Sequence, residues 1–382
     1  MTKRLFYFGV MAWILFEILS VYLIMPMPGS QQMDSISVAY IMNHYRWWFR
    51  MFFAIMMLIG LKRVMSDKLK GIPILFILIG FTAAYFFNVK MRADRMFLQP
   101  QQLLFGDIKE STLPEGSLVL TLVNDMEAKA FPIRYLAYHH QVRDFYHGEP
   151  VMVTYCSVCR SGRVYSTMVD STEETFSLAG MDHFNALFED KSTGSWWRQA
   201  NGECVAGAHK GKYLREIFSR QMTIKQFFSQ YPDGQMMLPD PASIVHYDNT
   251  GKYESGESRS LLTGTDTASW QRKSWILGIV YKKVSKAYDW NQLKRDRLIE
   301  DQIAGQQIII ILAKDGHSFN AFEVQKDLHY TLVGDMISDG QHQYSFSGVS
   351  TNDQTMRLKS IPVYQEFWHS WKTFHPKTLR SF

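Results

Sequence analysis

The hydrophobic pattern of the chain falls into two regimes. Leu5 to Met25 is an almost unbroken apolar run behind Lys3 and Arg4, long enough to cross a bilayer as a helix. Met25-Pro26-Met27-Pro28-Gly29 offers no small-residue cleavage site, and further apolar blocks follow, so the run reads as a retained anchor rather than a signal peptide. Those blocks are Trp47 to Leu61 and Ile72 to Phe87, each extended by its flanks. The pattern therefore predicts three transmembrane helices, over about 5–25, 44–62 and 72–89, within a membrane region of residues 1–95.

From Leu118 the pattern changes to short alternating apolar segments separated by turn residues, as in a soluble, strand-rich region. It also repeats. Val119 to Val123, Ala128-Lys129-Ala130-Phe131, Asp144, Gly148 and Val151 to Tyr155 recur, 157 residues later, as Ile276 to Val280, Ser285-Lys286-Ala287-Tyr288, Asp301, Gly305 and Ile308 to Leu312. Phe227-Phe228 before Tyr231-Pro232 likewise matches Phe367-Trp368 before Phe374-His375-Pro376. A run of matches in one register argues duplication. The expected fold class is an α-helical transmembrane region followed by an α+β, strand-rich region of two degenerate repeats: residues 96–240, a linker at 241–272, and 273–382. The linker is rich in Gly, Ser, Thr and Asp over Asp248 to Thr267 and reads as a plain connection ahead of a loop lying over a site.

Charge sharpens this picture. Residues 1–95 hold 11 Lys and Arg against four acids, whereas the remainder holds 30 against 32. The basic excess thus flanks membrane segments, and nothing argues for nucleic acid as a partner. Lys3, Arg4, Lys62, Arg63, Lys68 and Lys70 belong on the cytoplasmic side, which with three crossings puts everything after about Lys90 outside it; Lys90, Arg92 and Arg95 oppose this orientation. Glu17, inside the first apolar run, is expected to face the helix bundle and pair with Arg50 or a polar neighbour.

Three cysteines are too few for a disulfide scaffold, so the pair Cys156-Ser157-Val158-Cys159 is the best candidate for chemistry. The second repeat has Ala313 opposite Cys156 and no cysteines, which separates the thiols from what the fold requires. Strand patterns on both sides put the pair on a turn, with both sulfurs to one side, as in metal knuckles; a helix-opening redox motif is the other arrangement. Redox dithiol, soft-metal site and structural disulfide all stay open. Further ligands would come from His139, His140, His183, Cys204 and His209, with copper or zinc as the metal. Cys156, Cys159 and His139 form the tentative catalytic and metal set. A thiol nucleophile with His139 as base, oriented by Asp190 or Glu203, is a further reading. Trp196 and Trp197 beside Gln199, Asn201 and Glu203 suggest a pocket wall. The counterpart at Tyr344 to Gly348 lacks the tryptophan pair and the glutamate, so Asp190, Trp197, Gln199 and Glu203 are the pocket candidates.

These residues resemble the uncharacterised bacterial family known as domain of unknown function 3179 (DUF3179), from about Leu113 to the C-terminus. The resemblance rests on Ala128-Lys129-Ala130-Phe131-Pro132, His139 five residues before Asp144, Gly148 to Val153, Tyr155 to Cys159, and Ser195-Trp196-Trp197-Arg198-Gln199 followed by Gly202-Glu203. The family's turn usually reads Cys-Pro-Leu-Cys-Gly, where this chain has Ser157-Val158 inside and Arg160 after. Cys204 stands where the family has alanine. The resemblance implies a membrane-attached or exported protein with a degenerate second copy, and supplies no activity. The expected partners are the bilayer and an unknown small molecule, metal ion or cell-envelope component. The functional expectation is a membrane-anchored extracytoplasmic protein using its thiol pair for soft-metal binding or thiol/disulfide chemistry. The alternatives are a non-enzymatic envelope-binding module and a cysteine hydrolase or acyl transferase.

Overall fold

The computed structural model describes residues 2–67 and 69–381, without the side chain of Asn249; Lys68, one of the basic residues used above, lies outside them. The chain forms two compact units. One comprises the residues up to Leu98 together with Val169–Leu214; the other comprises Gln99–Met168 and the chain from Arg215 onwards. The stretch 96–240 is thus divided between them, with its tryptophan-rich middle grouped with the N-terminal helices.

In the first unit, α1 (Thr2–Tyr22), α2 (Ile36–His44), α3 (Arg46–Met65) and α4 (Gly71–Tyr85) precede a π-helical turn at Phe86–Lys90 and a short α5 (Ala93–Met96). Two helical stretches, Thr2–Tyr22 and Gly71–Lys90, are long and apolar enough to cross a membrane. The middle apolar block also forms a helix, α3, but Arg46, Arg50, Lys62 and Arg63 make it less apolar than the others. Phe6 and Val10 of α1 pack on Val64 of α3, while Phe52, Ile55, Leu58, Leu75 and Leu78 face outwards. Val169–Leu214 adds four antiparallel strands, Phe176–Asp182, Asn185–Asp190, Trp196–Arg198 and Cys204–Ala206, in sequential order. His183 and Phe184, at φ 51° and 69°, make the two-residue turn between the first two, where positive φ matches strand twist. Leu187, Trp196 and Val205 of this sheet share a core with Ile24, Ile36 and Ala39.

The second unit begins with β1 (Phe105–Gly106), the hairpin β2 (Leu118–Val123) and β3 (Ala128–Pro132), α6 (Ile133–His139), and three antiparallel strands β4 (Gln141–Tyr146), β5 (Glu149–Cys156) and β6 (Ser161–Ser166). After Arg215 come β7 (Arg220–Thr223), α7 (Ile224–Gln230) and β8 (Gln235–Met237). The first sheet has the order β1-β8-β3-β2-β7, with β8 parallel to β3. Two short helices, α8 (Ile244–Tyr247) and α9 (Gly251–Glu254), lie in the stretch read as a linker, and Tyr247, Tyr253 and Glu254 in them are buried. That stretch is therefore part of the folded body.

Then follow the hairpin β9 (Trp275–Tyr281) and β10 (Val284–Asp289), α10 (Trp290–Asp296), β11 (Leu298–Ile303), β12 (Gln306–Leu312), β13 (Phe319–Glu323), β14 (Lys359–Ser360), β15 (Tyr364–Phe367), α11 (Trp368–Phe374) and β16 (Leu379–Arg380). Their sheets run β15-β9-β10-β16 and β11-β12-β13-β14, and β16 is parallel to β10. Local details match those of the earlier elements. Lys129 pairs with Asp144 at 2.8 Å and Lys286 with Asp301 at 2.5 Å. Left-handed His140 and Arg297, at φ 61° and 59°, close α6 and α10. Their carbonyls accept from the amides of Tyr155 and Leu312, at 3.0 and 2.8 Å.

Gly278 of β9 sits against Trp371 of α11: a Cβ there would lie 2.2 Å from the indole ring. Gly116 has open space around it. Gly278→Ala is expected to cost about 1–3 kcal/mol, the usual cost of overpacking, and Gly116→Ala less than about 0.5 kcal/mol. Chemical denaturation of the two variants in parallel checks both.

Candidate functional site

The site is built on the end of β5, the central strand of its sheet. Val151 to Cys156 are all buried, so the strand presents apolar side chains to both faces. Cys156 pairs with Ser161 across a four-residue connection, Ser157 to Arg160, and Arg160 adopts a left-handed φ of 56° to close it. The expected turn between strands is thus what the structure forms. Cys156 and Cys159 are completely buried free thiols, and their side chains are in hydrogen-bond contact.

The turn is covered by chain from far along the sequence. The Phe367 amide donates to the Cys159 carbonyl at 2.9 Å. The next two amides, of Trp368 and His369, donate to the carbonyls of Ser274 and Arg272, also at 2.9 Å. The His369 ring hydrogen-bonds the Val158 backbone, inside the CxxC turn. Three further side chains act on the thiols: Ser370 and Glu366 on Cys159, and Lys273, whose Nζ donates to the Leu262 carbonyl, on both sulfurs through its charge. Lys273 Nζ lies 4.9 Å from the centre of the Phe367 ring.

Burial dominates the electrostatics. It pushes the Cys159 thiol well above its usual range, reinforced by the contact with Cys156 and the charge of Glu366 and opposed by Ser370. Burial pushes the Lys273 ammonium down to about 8, against the opposing fields of Cys159 and Cys156. The centre therefore holds a protonated thiol within the field of a lysine that burial pushes towards its neutral form.

Two buried arginines fix the turn. Arg160 donates to the carbonyls of Tyr253 and Glu254, both at 3.0 Å, and to Gln365 Oε1 at 3.1 Å, while its guanidinium lies 3.5 Å from the centre of a Trp275 ring. Arg163 donates to Glu366, approaches Glu216 at 3.4 Å, and stacks 3.4 Å from the centre of the Tyr364 ring. Burial acts to discharge Arg163, and the carboxylates of Glu366 and Glu216 outweigh it. Burial also raises the Glu366 carboxyl above its usual range, against Arg163.

The other residues singled out from the sequence occupy different surroundings. His139 ends α6, with Nε2 2.6 Å from the Tyr247 hydroxyl. Burial pushes neighbouring His140 down to about 4. Asp190, Trp197, Gln199 and Glu203 belong to the first unit, where they are tied into buried or half-buried pairs. Trp197 Nε1 donates to Asp190 at 2.8 Å, Asn185 to Gln199 Oε1 at 2.9 Å, and Arg198 to Glu203 at 2.8 Å and Asp182 at 2.5 Å. In the same unit, His183 pairs with Asp182 at 2.6 Å, the His209 ring sits 5.8 Å from that of Trp197, and burial pushes the Cys204 thiol up to about 11. Among the described residues no group of three or more His, Cys, Asp or Glu side chains converges to hold a metal ion.

Lys273, Glu366, His369 and Ser370 escaped the sequence reading because partners for the thiols were sought in the first repeat alone. The one available signal was the pair Arg160 and Arg163, two cations in an otherwise apolar stretch.

The model of the family described as "Protein of unknown function (DUF3179)" matches residues 104–378, which takes in the whole second unit apart from its ends. The chain belongs to this family. No curated protein and no solved structure matches it. The match places the CxxC turn, the two arginines and the residues that cover them within the DUF3179 region.

One buried and two half-buried histidines give this unit an acid sensitivity. Burial first, aided by Lys273 and Arg272, pushes His369 down to about 3; burial, with Arg163, pushes His375 down to about 4; His140 also stands at about 4. Each is neutral in the fold, while the unfolded chain takes up the proton near pH 6.5. Their contribution is therefore complete above about pH 6.5 and is lost as pH falls towards 4, at about 1.4 kcal/mol per pH unit for each histidine. Denaturation midpoints measured from pH 7.5 to 4.5 should show this slope, and His369→Gln should remove one proton's share of it.

Proposed function

We propose that this DUF3179 protein is a membrane-anchored thiol/disulfide centre whose two-repeat domain lies outside the cytoplasm. The observation that carries the reading is the contact between two fully buried thiols on one strand-to-strand turn, with Lys273 acting on both. Inert buried thiols need no charged group beside them, and bringing an ammonium into such a site costs free energy.

The duplication supports separating chemistry from architecture. The same order of strands and helices, the paired Lys129–Asp144 and Lys286–Asp301 bridges and the matched left-handed caps argue that the two halves arose from one ancestor. The later half ends its fourth strand at Leu312 and continues into Ala313 without cysteines. It contributes Lys273, Glu366, His369 and Ser370 instead, so the first half supplies the thiols and the second their surroundings.

The membrane reading takes α3 as a third crossing beside the two apolar helices, its 20 residues spanning about 30 Å. The basic residues before α1 and after α3 then favour placing the CxxC domain outside the cytoplasm. Oxidising compartments are where disulfides form and persist. In the exchange, the Cys156 and Cys159 thiols pass two electrons to a partner disulfide, an intramolecular S–S bond forms, and two partner thiols leave with the two protons. Lys273, whose Nζ donates to the Leu262 carbonyl, supplies when charged the positive field that favours the thiolate.

Full-length protein purified in detergent without chelator gives the test. Two thiols should be lost on oxidation and recovered on reduction, with Cys204 unaffected, at a potential above roughly −300 mV, the range of labile rather than structural bonds. Lys273→Met should slow reaction of the pair with methyl methanethiosulfonate at pH 8 by roughly tenfold, since thiolate formation loses its counter-charge. Three thiols that persist under oxidising buffer would defeat the proposal. Near-stoichiometric metal that disappears in Cys156→Ser/Cys159→Ser would replace it with a soft-metal site.

A further inference from the structure

The helical part of the first unit carries an open cavity of about 650 Å³, within the usual size range of ligand sites. Its walls are apolar and aromatic, including Phe6, Trp13, Met57, Ile77 and Phe81. Glu17, Arg50 and Asn88 also line it. The Glu17 side chain is completely buried and accepts from Trp13 Nε1 at 2.7 Å, from Arg50 Nε and Nη2 at 2.8 Å each, and from Asn88. The expected pairing of Glu17 with Arg50 is thus present, and it neutralises the polar end of the cavity.

It does not satisfy that end. A guanidinium has five N–H donors, and the Glu17 carboxylate engages only Arg50 Nε and Nη2. Among the described residues no hydrogen bond engages Arg50 Nη1. In a hydrocarbon setting, donors without an acceptor cost several kcal/mol each. The missing partner is an oxygen acceptor. Because Glu17 already balances the charge, an anion there would bring an uncompensated charge of its own.

We propose that this cavity binds a neutral lipid from the bilayer, with a carbonyl oxygen on Arg50 and a hydrocarbon body along the Trp13, Phe81 and Ile77 walls. The inference goes beyond the thiol chemistry and rests only on the membrane placement of these helices.

The full chain in lipid nanodiscs, titrated with a diazirine-bearing monoacylglycerol, tests this. Photolabelling should saturate near one per chain, as for a single site, and map to α1, α3 and α4. Unlabelled monoacylglycerol should compete, and an alkane of equal length should not. Ala54→Trp, which fills the cavity, should weaken labelling by roughly tenfold or more, and Ala84→Leu serves the same purpose if that variant does not fold. Labelling that rises linearly with probe, ignores both substitutions or yields equally to the alkane overturns the ligand. Recovery of the chain in the soluble fraction overturns the membrane placement instead.

Discussion

The second unit depends on burying two guanidinium groups beside one turn. Arg160 and Arg163 are each almost completely enclosed, at 1% and 2% exposure. A buried cation is tolerated only when its donors and its charge are both met. For Arg160 the partners are two main-chain carbonyls, Gln365 and the face of Trp275; for Arg163 they are Glu366, Glu216 and the face of Tyr364. Apart from Glu216, all come from residues 253–366. The CxxC turn therefore reaches its native environment only when the later half has folded against it.

That dependence makes the later half part of the surroundings of the thiols. The chain that leaves the first half as apparent linker carries Tyr253 and Glu254 into the interior. Tyr253 hydrogen-bonds Tyr155 at 3.0 Å, and Glu254 accepts from the Leu118 amide. From there it runs to Lys273 and β9, and α11 closes over the thiols from the other end of the half. A site assembled from residues 156 to 370 is protected from solvent, which raises the Cys159 thiol and lowers Lys273 together. Burial thus moves a normally acidic group and a normally basic one past each other, the thiol upwards and the ammonium downwards, so both favour their neutral forms and a thiolate–ammonium pair is disfavoured.

In the helical unit the same rule operates on a carboxylate and a guanidinium among apolar helices. Glu17 and Arg50 lie on neighbouring helices and neutralise one another, and Trp13 and Asn88 complete the carboxylate's shell. Close helix approach makes this reachable: a Cβ on Gly60 would lie 2.5 Å from the Thr2 carbonyl, and one on Gly80 2.4 Å from the Trp13 ring. Small residues at such crossings let polar side chains meet across a helix pair.

Much of this was legible in the sequence because it is local or periodic. Long apolar runs marked the helices, alternation marked the strands, and a constant register of Lys129, Asp144 and Gly148 against Lys286, Asp301 and Gly305 marked matching hairpins and turns. The strand-turn-strand setting of Cys156 and Cys159 followed from the β pattern on either side, and Glu17 with Arg50 from the cost of a lone charge among apolar residues. Which side chains surround the thiols was decided by tertiary structure alone. Lys273, Glu366, His369 and Ser370 are 114 to 214 residues from Cys156 or Cys159 along the chain, and their approach depends on strand pairing and arginine burial that no local pattern encodes. The grouping of Trp197, Asp190, Gln199 and Glu203 with the helical unit was hidden for the same reason. A side chain's composition and spacing state what it can bond, but only the packed fold states which partner excludes water from it.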